Sequence, residues 1–298
     1  MLGRGKYVAP PPSSYGLLPG GLDTGVYSST NIKYEISADT TSSAAAINSA
    51  RQHPQGAGNT VTGTIAGGYN AGYSTAVQRW AYAGSSWAAG TSLSTGNSNT
   101  CAAANSTTGM YVGGDNNRTT NLLYDIGAGT WSTGNAIGTG ISHGGGTSTS
   151  SSGYIFAGNS PIMATISEYS WSGTTWDTTY SLNYATLTNS CAGNTTKAVS
   201  VAGYNAAGNA AVTNVDNHVY STHTSTAQTA LATARISLCQ GIGDATYAIA
   251  VGGQEPPGYA KVATSYKYTF SSDARTAGAT LADVRSDGAG LSSSPGGI

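Results

Sequence analysis

The segment Met110-Tyr-Val-Gly-Gly114, followed by Leu122-Leu-Tyr-Asp-Ile-Gly-Ala-Gly-Thr-Trp131, decides the fold, because its parts recur along the chain. An apolar, β-prone run closed by Gly reads as a buried strand. The second run, the tight Gly/Thr turn and the Trp read as a hairpin with an aromatic on its far arm. A search for self-similarity outward from this segment finds six small-residue pairs: Gly20-Gly21, Gly67-Gly68, Gly113-Gly114, Ala157-Gly158, Ala202-Gly203 and Gly252-Gly253. They lie 44 to 50 residues apart.

The other features follow each pair. The preceding strand recurs as Thr64-Ile65-Ala66, Tyr154-Ile155-Phe156, Val199-Ser200-Val201 and Ile249-Ala250-Val251. The second run recurs as Ile32-Lys33-Tyr34, Gln78-Arg79-Trp80, Ser167-Glu168-Tyr169, His218-Val219-Tyr220 and Ser265-Tyr266-Lys267-Tyr268. The turn and Trp return in Tyr82-Ala-Gly-Ser-Ser-Trp87 and Tyr169-Ser-Trp-Ser-Gly-Thr-Thr-Trp176. Residues 99–103, 142–146, 189–193 and 237–241 align as a further strand of very small residues. Small side chains suit the innermost strand of a propeller, where blades converge and room is least. The reading is all-β: a six-bladed β-propeller with about 47 residues per blade, occupying residues 15–298 behind an extended arm, residues 1–14.

The pattern resembles the kelch family, whose blades carry a Gly-Gly pair, then Tyr-Asp and a Trp, with an Arg opening the innermost strand. Arg51, Arg235 and Arg285 match that Arg, whereas Asn97, Gly140 and Leu187 stand in the same column. The resemblance covers roughly residues 15–292 and implies a fold more than a function.

Closure follows from the two ends. No inner strand precedes Gly20-Gly21, because Met1–Ser14 carries Pro10-Pro11-Pro12, which cannot pair in a central ladder. Arg285-Ser-Asp-Gly-Ala-Gly-Leu291 aligns with the segment opening at Arg51 and ending at Gly58. The C-terminal strand is therefore expected to complete the first blade and remove its exposed edge.

Composition narrows the function classes. Only 8% of the 298 residues are charged and the net charge is −1, so there is no Lys/Arg footprint for nucleic acid. No apolar run approaches membrane-spanning length, and Met1–Pro12 lacks the apolar stretch of a signal peptide. Cys101, Cys191 and Cys239 are odd in number and widely spaced, fitting neither a disulfide framework nor a metal knuckle. They are read as free thiols sharing one small-residue column with Gly144 and Ala289.

Catalytic and metal readings find little support. His53 and His143 fall one inner-strand position apart in register, in different blades; they are read as ordinary polar strand residues, with a tunnel-facing pair as the lesser alternative. His218 and His223 straddle a hairpin at an offset of no standard ligand spacing, and no metal or cofactor is assigned. Resemblance to galactose oxidase would imply copper and a Cys–Tyr crosslink, but all three Cys sit in the packing column. The Ser170–Trp176 turn resembles a sialidase Asp-box without its Asp, and no paired carboxylates of the kind glycosidases use are apparent. Asn105, Asn117 and Asn194 head Asn-x-Ser/Thr sequons, as a chain rich in these residues produces by chance.

The expected binding surface is the set of loops after the small-residue pairs, which should emerge on one face. Its candidate residues are Tyr69, Asn70, Tyr73, Asn116, Arg118, Asn159, Tyr204, Asn205, Gln254 and Tyr259. Tyr rings with amides suit sugars and protein surfaces alike, while Asn and Gly also serve simply to make turns. The arm, with Arg4, Lys6, Tyr7, Val8, Pro10, Pro11 and Pro12, suits lying against a neighbouring subunit. The functional expectation is a non-enzymatic virion or appendage protein, such as a phage tail-fibre, baseplate or capsid-decoration component. It would be made in the cytoplasm without a signal peptide, bind other structural chains, and touch host glycans through its loops. A secreted carbohydrate-binding or carbohydrate-active propeller is the alternative, and a cytosolic kelch adaptor the third.

Overall fold

Each repeat folds as a four-stranded antiparallel sheet, and six such sheets form a six-bladed β-propeller. The computed structural model describes residues 14–159, 161–205 and 210–293. From the axis outward, blade 2 is Gln55–Gly58, Thr62–Ala66, Val77–Ala81 and Ser86–Ala89. Blade 3 is Thr100–Ala104, Thr108–Gly113, Asn121–Asp125 and Thr130–Gly134. Blade 4 is Gly145–Ser148, Ser152–Gly158, Met163–Ser170 and Trp176–Thr186. Blade 5 is Ser190–Gly193, Lys197–Asn205, Ala210–Val219 and Thr224–Ala227. Blade 6 is Ile242–Gly243, Tyr247–Val251, Ser265–Thr269 and Ala274–Gly278. Blade 1 takes Leu291–Ser292 from the far end of the chain, then Tyr15–Pro19, Asn31–Glu35 and Thr40–Ala44.

Backbone conformation explains the small-residue pairs. The first member has φ between 53° and 72° in every blade, a left-handed conformation that Ala adopts at modest cost, and two blades carry Ala157 and Ala202 there. The second member has φ between 93° and 118°, which side chains rarely enter, and it is Gly in all six. At Gly114 an added Cβ would also collide with the Asn97 side chain.

One hydrophobic cluster fills each seam between neighbouring blades. Within each blade a large ring on the third strand lies opposite a small residue on the second: Tyr34 on Gly16, Trp80 on Gly63, Tyr124 on Gly109, Tyr169 on Gly153, His218 on Ala198 and Tyr268 on Ala248. The hairpin Trp then joins blades. Trp87, Trp131 and Trp176 donate Nε1 hydrogen bonds to Ala45, Thr91 and Asn135 of the preceding blade, at 2.7–2.9 Å. Charged side chains also reach across seams to carbonyls, with Arg79 donating to Ile126 at 2.6 Å between blades 2 and 3 and Lys267 to Ile36 at 2.8 Å between blades 6 and 1.

Arg51, Arg235 and Arg285 are fully or almost fully buried, each clamping the blade whose inner strand it opens. Arg51 donates to the Ala76 carbonyl and Gln78 Oε1, and Arg235 to the Gly252 and Thr264 carbonyls. Arg285 donates to the carbonyls of Leu18, Gly20 and Thr30 at 2.7–3.0 Å. Closure occurs as the alignment of Arg285 with Arg51 requires, with Leu291 opposite Leu17 and Ser292 opposite Gly16. Even the missing hairpin is imitated. Ser293 N donates to Tyr15 O and Tyr15 N to Ser293 Oγ, both at 3.0 Å. In blade 2, Asn59 N and Thr62 O, and Thr62 N and Asn59 Oδ1, bond in the same way within one covalent turn.

Three expectations about register are corrected. The Arg column contains Ile141 and Thr186 rather than Gly140 and Leu187: the Gly114 amide donates to Ile141 O, as Gly21 does to Arg51 O, and Met163 sits opposite both Gly158 and Thr186. Cys191 lies opposite Ser200, one residue along from the position where Cys101 faces Val112. It therefore joins the blade 4–5 seam cluster, and the small residue in the column of Cys101 is Gly145, not Gly144. In blade 6 the inner strand starts at Ile242, beyond 237–241. All three thiols are buried and their pKa is pushed up, to about 12, 12 and 11 for Cys101, Cys191 and Cys239, chiefly by burial.

Candidate functional site at the axial loop face

The connections that carry the chain from one blade to the next meet at the axis. Two residues after the Arg column stand His53, Asn99, His143, Thr188, Ser237 and Asp287, one per blade, all at φ of 51–59°. Such a left-handed non-Gly set costs energy and needs surrounding structure to hold it. Here the holding is mutual, because amides donate around the axis to the preceding blade. His143 donates to Asn99 O (2.9 Å), Asn99 to His53 O (3.4 Å), His53 to Asp287 O (2.8 Å) and Asp287 to Ser237 O (2.9 Å). Thr188 donates to His143 O, and Ser237 completes the circuit through Thr188 Oγ1 at 3.3 Å.

One residue earlier, a second circle joins the ring to the loops. Tyr69, Asp115, Asn159, Tyr204, Gln254 and Leu22 donate their amides to Gln52, Ser98, Ser142, Leu187, Ile236 and Ser286, at 2.8–3.0 Å. Of the loop residues named from sequence, Tyr69, Asn159, Tyr204 and Gln254 occupy equivalent rim positions. In blade 3 that position belongs to Asp115. Asn116 and Arg118 lie farther along the same loop, where Asn116 makes the turn at φ 62°. Asn70 donates to Ala50 O at 2.6 Å, and Tyr259 is an exposed ring on the blade 6 loop. Asn205 ends the second strand of blade 5. The arm residues Arg4, Lys6, Tyr7, Val8, Pro10, Pro11 and Pro12 lie outside the described residues.

Inside the ring is a small polar cup of about 30 Å³, room for a water or two. His53, Asn99, His143, Thr188 and Asp287 contribute to its wall, with Asn189 and Gln240. Below it the inner strands abut without space for side chains: a Cβ on Gly146 or Gly290 would strike the Ala102 or Gln240 carbonyl. Gln240 also spans the axis, accepting from Gly56 N at 2.8 Å and donating to Gly56 O at 2.9 Å.

His53 and His143, expected to be ordinary strand residues, are brought ring to ring at the axis, 6.0 Å between centroids. Their equivalent positions were hidden by the one-residue error at Gly140. Burial, with His53 as a close neighbour, lowers His143 to about 4. Asp287, 3.5 Å from His53 Nδ1, is raised above the usual carboxylate range by burial. Ser142 Oγ lies 2.9 Å from His143 Nδ1 but is itself buried and donates to Asn117 Oδ1, so this pair does not present a nucleophile to a substrate. Among the described residues, no three His, Cys, Asp or Glu side chains converge as metal ligands.

Sequence reasoning missed one loop aromatic, Tyr27. It belongs to the ribbon Leu22–Asp23/Val26–Tyr27 that follows the first Gly pair, the counterpart of the loops that were read. Tyr27, Tyr69 and Tyr73 form a row across blades 1 and 2, with centroid separations of 6.1 and 5.7 Å. Tyr73 is half exposed.

The other two His lie elsewhere, in the blade 4–5 seam. Their five-residue offset belongs to the repeat, since His218 fills the Tyr34 position and His223 the Asp39 position of the hairpin. His223 stacks on Tyr180 at 4.0 Å and faces Glu168 at 3.7 Å. The Asn105 and Asn194 sequons are likewise structural: their Oδ1 atoms accept amides two and three residues on, closing the turn between first and second strands. Asn59 and Asp244 close the same turn elsewhere. In comparisons with known proteins, no family model matches the chain and no curated protein is significantly similar to it.

Proposed function

We propose that the chain is a non-catalytic recognition and assembly module of kelch type, serving in a virion or comparable extracellular appendage. The observation that supports this reading is the separation of the two ends of the propeller. The loops and axial cup occupy one face, while Ser14 and Ser293 lie with the opposite turns, where Ser14 Oγ bonds Asp244 at 2.7 Å. An arm leaving from Ser14 anchors the blades with their loop face outward. The sparsely charged composition suits recognition of neutral surfaces, and the three buried thiols are not poised as nucleophiles.

The test is to isolate the chain natively and measure its size and protease sensitivity. It is expected in an assembly larger than a monomer, with residues 1–13 protected and loop-face residues accessible. A native monomer with a cleavable arm, or turnover of glycosides or sugar alcohols by purified protein, overturns the proposal.

A further inference from the structure

We infer that the Tyr27–Tyr69–Tyr73 row is a binding shelf for a neutral saccharide, an inference that rests on reading the loop face as a recognition surface. Three observations support it. First, the rings are gathered rather than scattered: Tyr69 lies between Tyr27 and Tyr73, with interplanar angles of 70° and 72°. Their hydroxyls make no hydrogen bond among the described residues, and Tyr73 is 49% exposed. The rings meet edge to face, and Tyr69 is also held by its backbone bonds to Gln52.

Second, the surrounding chemistry is that of hydroxyl recognition. Asn70 uses its amide nitrogen on Ala50 O and leaves Oδ1 to accept. The Tyr69–Tyr73 loop has no Lys, Arg, Asp or Glu, and the facing ribbon has only Asp23. Neither loop carries a Lys or Arg to pair with a sialylated, sulfated or phosphorylated ligand, and Asp23 disfavours one. A sugar ring covers a Tyr face with its apolar C–H side while amide and carboxylate oxygens accept from its hydroxyls.

Third, the shelf is tied to the axial ring through its central member: the Tyr69 backbone pairs with Gln52, whose neighbour His53 belongs to that ring.

The test is an array of neutral α- and β-linked oligosaccharides beside sialylated and sulfated ones, with hits measured by titration calorimetry. At least one neutral glycan is expected to bind, with little change between 50 and 500 mM NaCl. Tyr73→Ala and Tyr69→Phe separate ring from hydroxyl: the first is expected to weaken binding at least tenfold and the second two- to fivefold. Val61→Ala, exposed on a turn of the opposite face, should leave binding unchanged. No neutral hit, charged hits alone, or full affinity in Tyr73→Ala overturns the inference. If the chain still occurs in an assembly with its loop face outward, the saccharide shelf falls while the recognition and assembly proposal stands.

Discussion

Replacing Leu291 by Ala tests whether the C-terminal strand holds the propeller shut. Leu291 is fully buried and packs with Leu17, Ile47, Ile65 and Trp80 in the seam between blades 1 and 2. Gly56 and Gly63 lie against its methyl groups, and a Cβ built on either would come within 2.9 Å of them. Glycines have no side chain to swing into a vacated space, so the cavity should persist. The cost then belongs in the upper part of the range for buried Leu→Ala changes, about 4 kcal/mol. For a domain of this size that lowers Tm by roughly 6–7 °C. Urea unfolding followed by Trp fluorescence gives the midpoint, and Trp80 reports from the same cluster. Hydrogen exchange at Leu17 and Gly16 should accelerate before that of blade 4. A loss below about 1 kcal/mol, with Leu17 still protected, would refute the claim that the closing strand is integral to the fold; Val61→Ala, on an exposed side chain, should change stability by no more than about 0.5 kcal/mol.

Three further outcomes are expected. His218 is buried and its pKa is lowered to about 4 by burial and by nearby His223, so the unfolded chain binds more protons between about pH 6.5 and 4. Stability should therefore fall by up to about 3 kcal/mol as pH drops through that window. His218→Phe, which restores the aromatic of the other blades, should remove that share of the fall in a pH series of urea midpoints and leave the share owed to His143. Gly114→Ala should cost more than about 2 kcal/mol and Gly113→Ala should also be costly, because both positions combine positive φ with a blocked Cβ; a neutral result at Gly114 in thermal melts would contradict the conformational account of the pair. Lys267→Met removes the bond to Ile36 O and the Tyr247 ring contact at 4.0 Å, and should cost about 1.5–3 kcal/mol by chemical denaturation.

Most of the fold was legible in the sequence because the propeller repeats its backbone needs. A conformation only Gly adopts recurs as a fixed Gly, a ring needs a small residue opposite it, and an unpaired blade needs a strand from the far end. The axial site was harder to read. His53, Asn99, His143, Thr188, Ser237 and Asp287 share a backbone conformation but no side-chain chemistry, so nothing in their identities marks them as one column. The connections entering them also differ: Arg51 and Arg285 announce the register, whereas Ile141 and Thr186 do not, and a shift of one residue concealed the His pair. Cys191 escaped its true column for a related reason, because small residues tolerate either face of a tight inner strand. Tyr27 is legible by position, since its ribbon stands where the loops of the other blades stand.

The joint between Ser293 and Tyr15 has a topological consequence. Where Asn59 and Thr62 are linked by two intervening residues, Ser293 and Tyr15 make the same pair of hydrogen bonds with no covalent link. The molecule is in effect a circle of six equivalent arcs, opened at one hairpin. Tying Ser293 to Tyr15 through two turn-forming residues, and cutting between Thr60 and Val61 instead, should give a permuted chain with the same blades and the same loop face. In that order a single continuous stretch of chain would make blade 1, and the sheet closed by the meeting of two ends would be blade 2 instead.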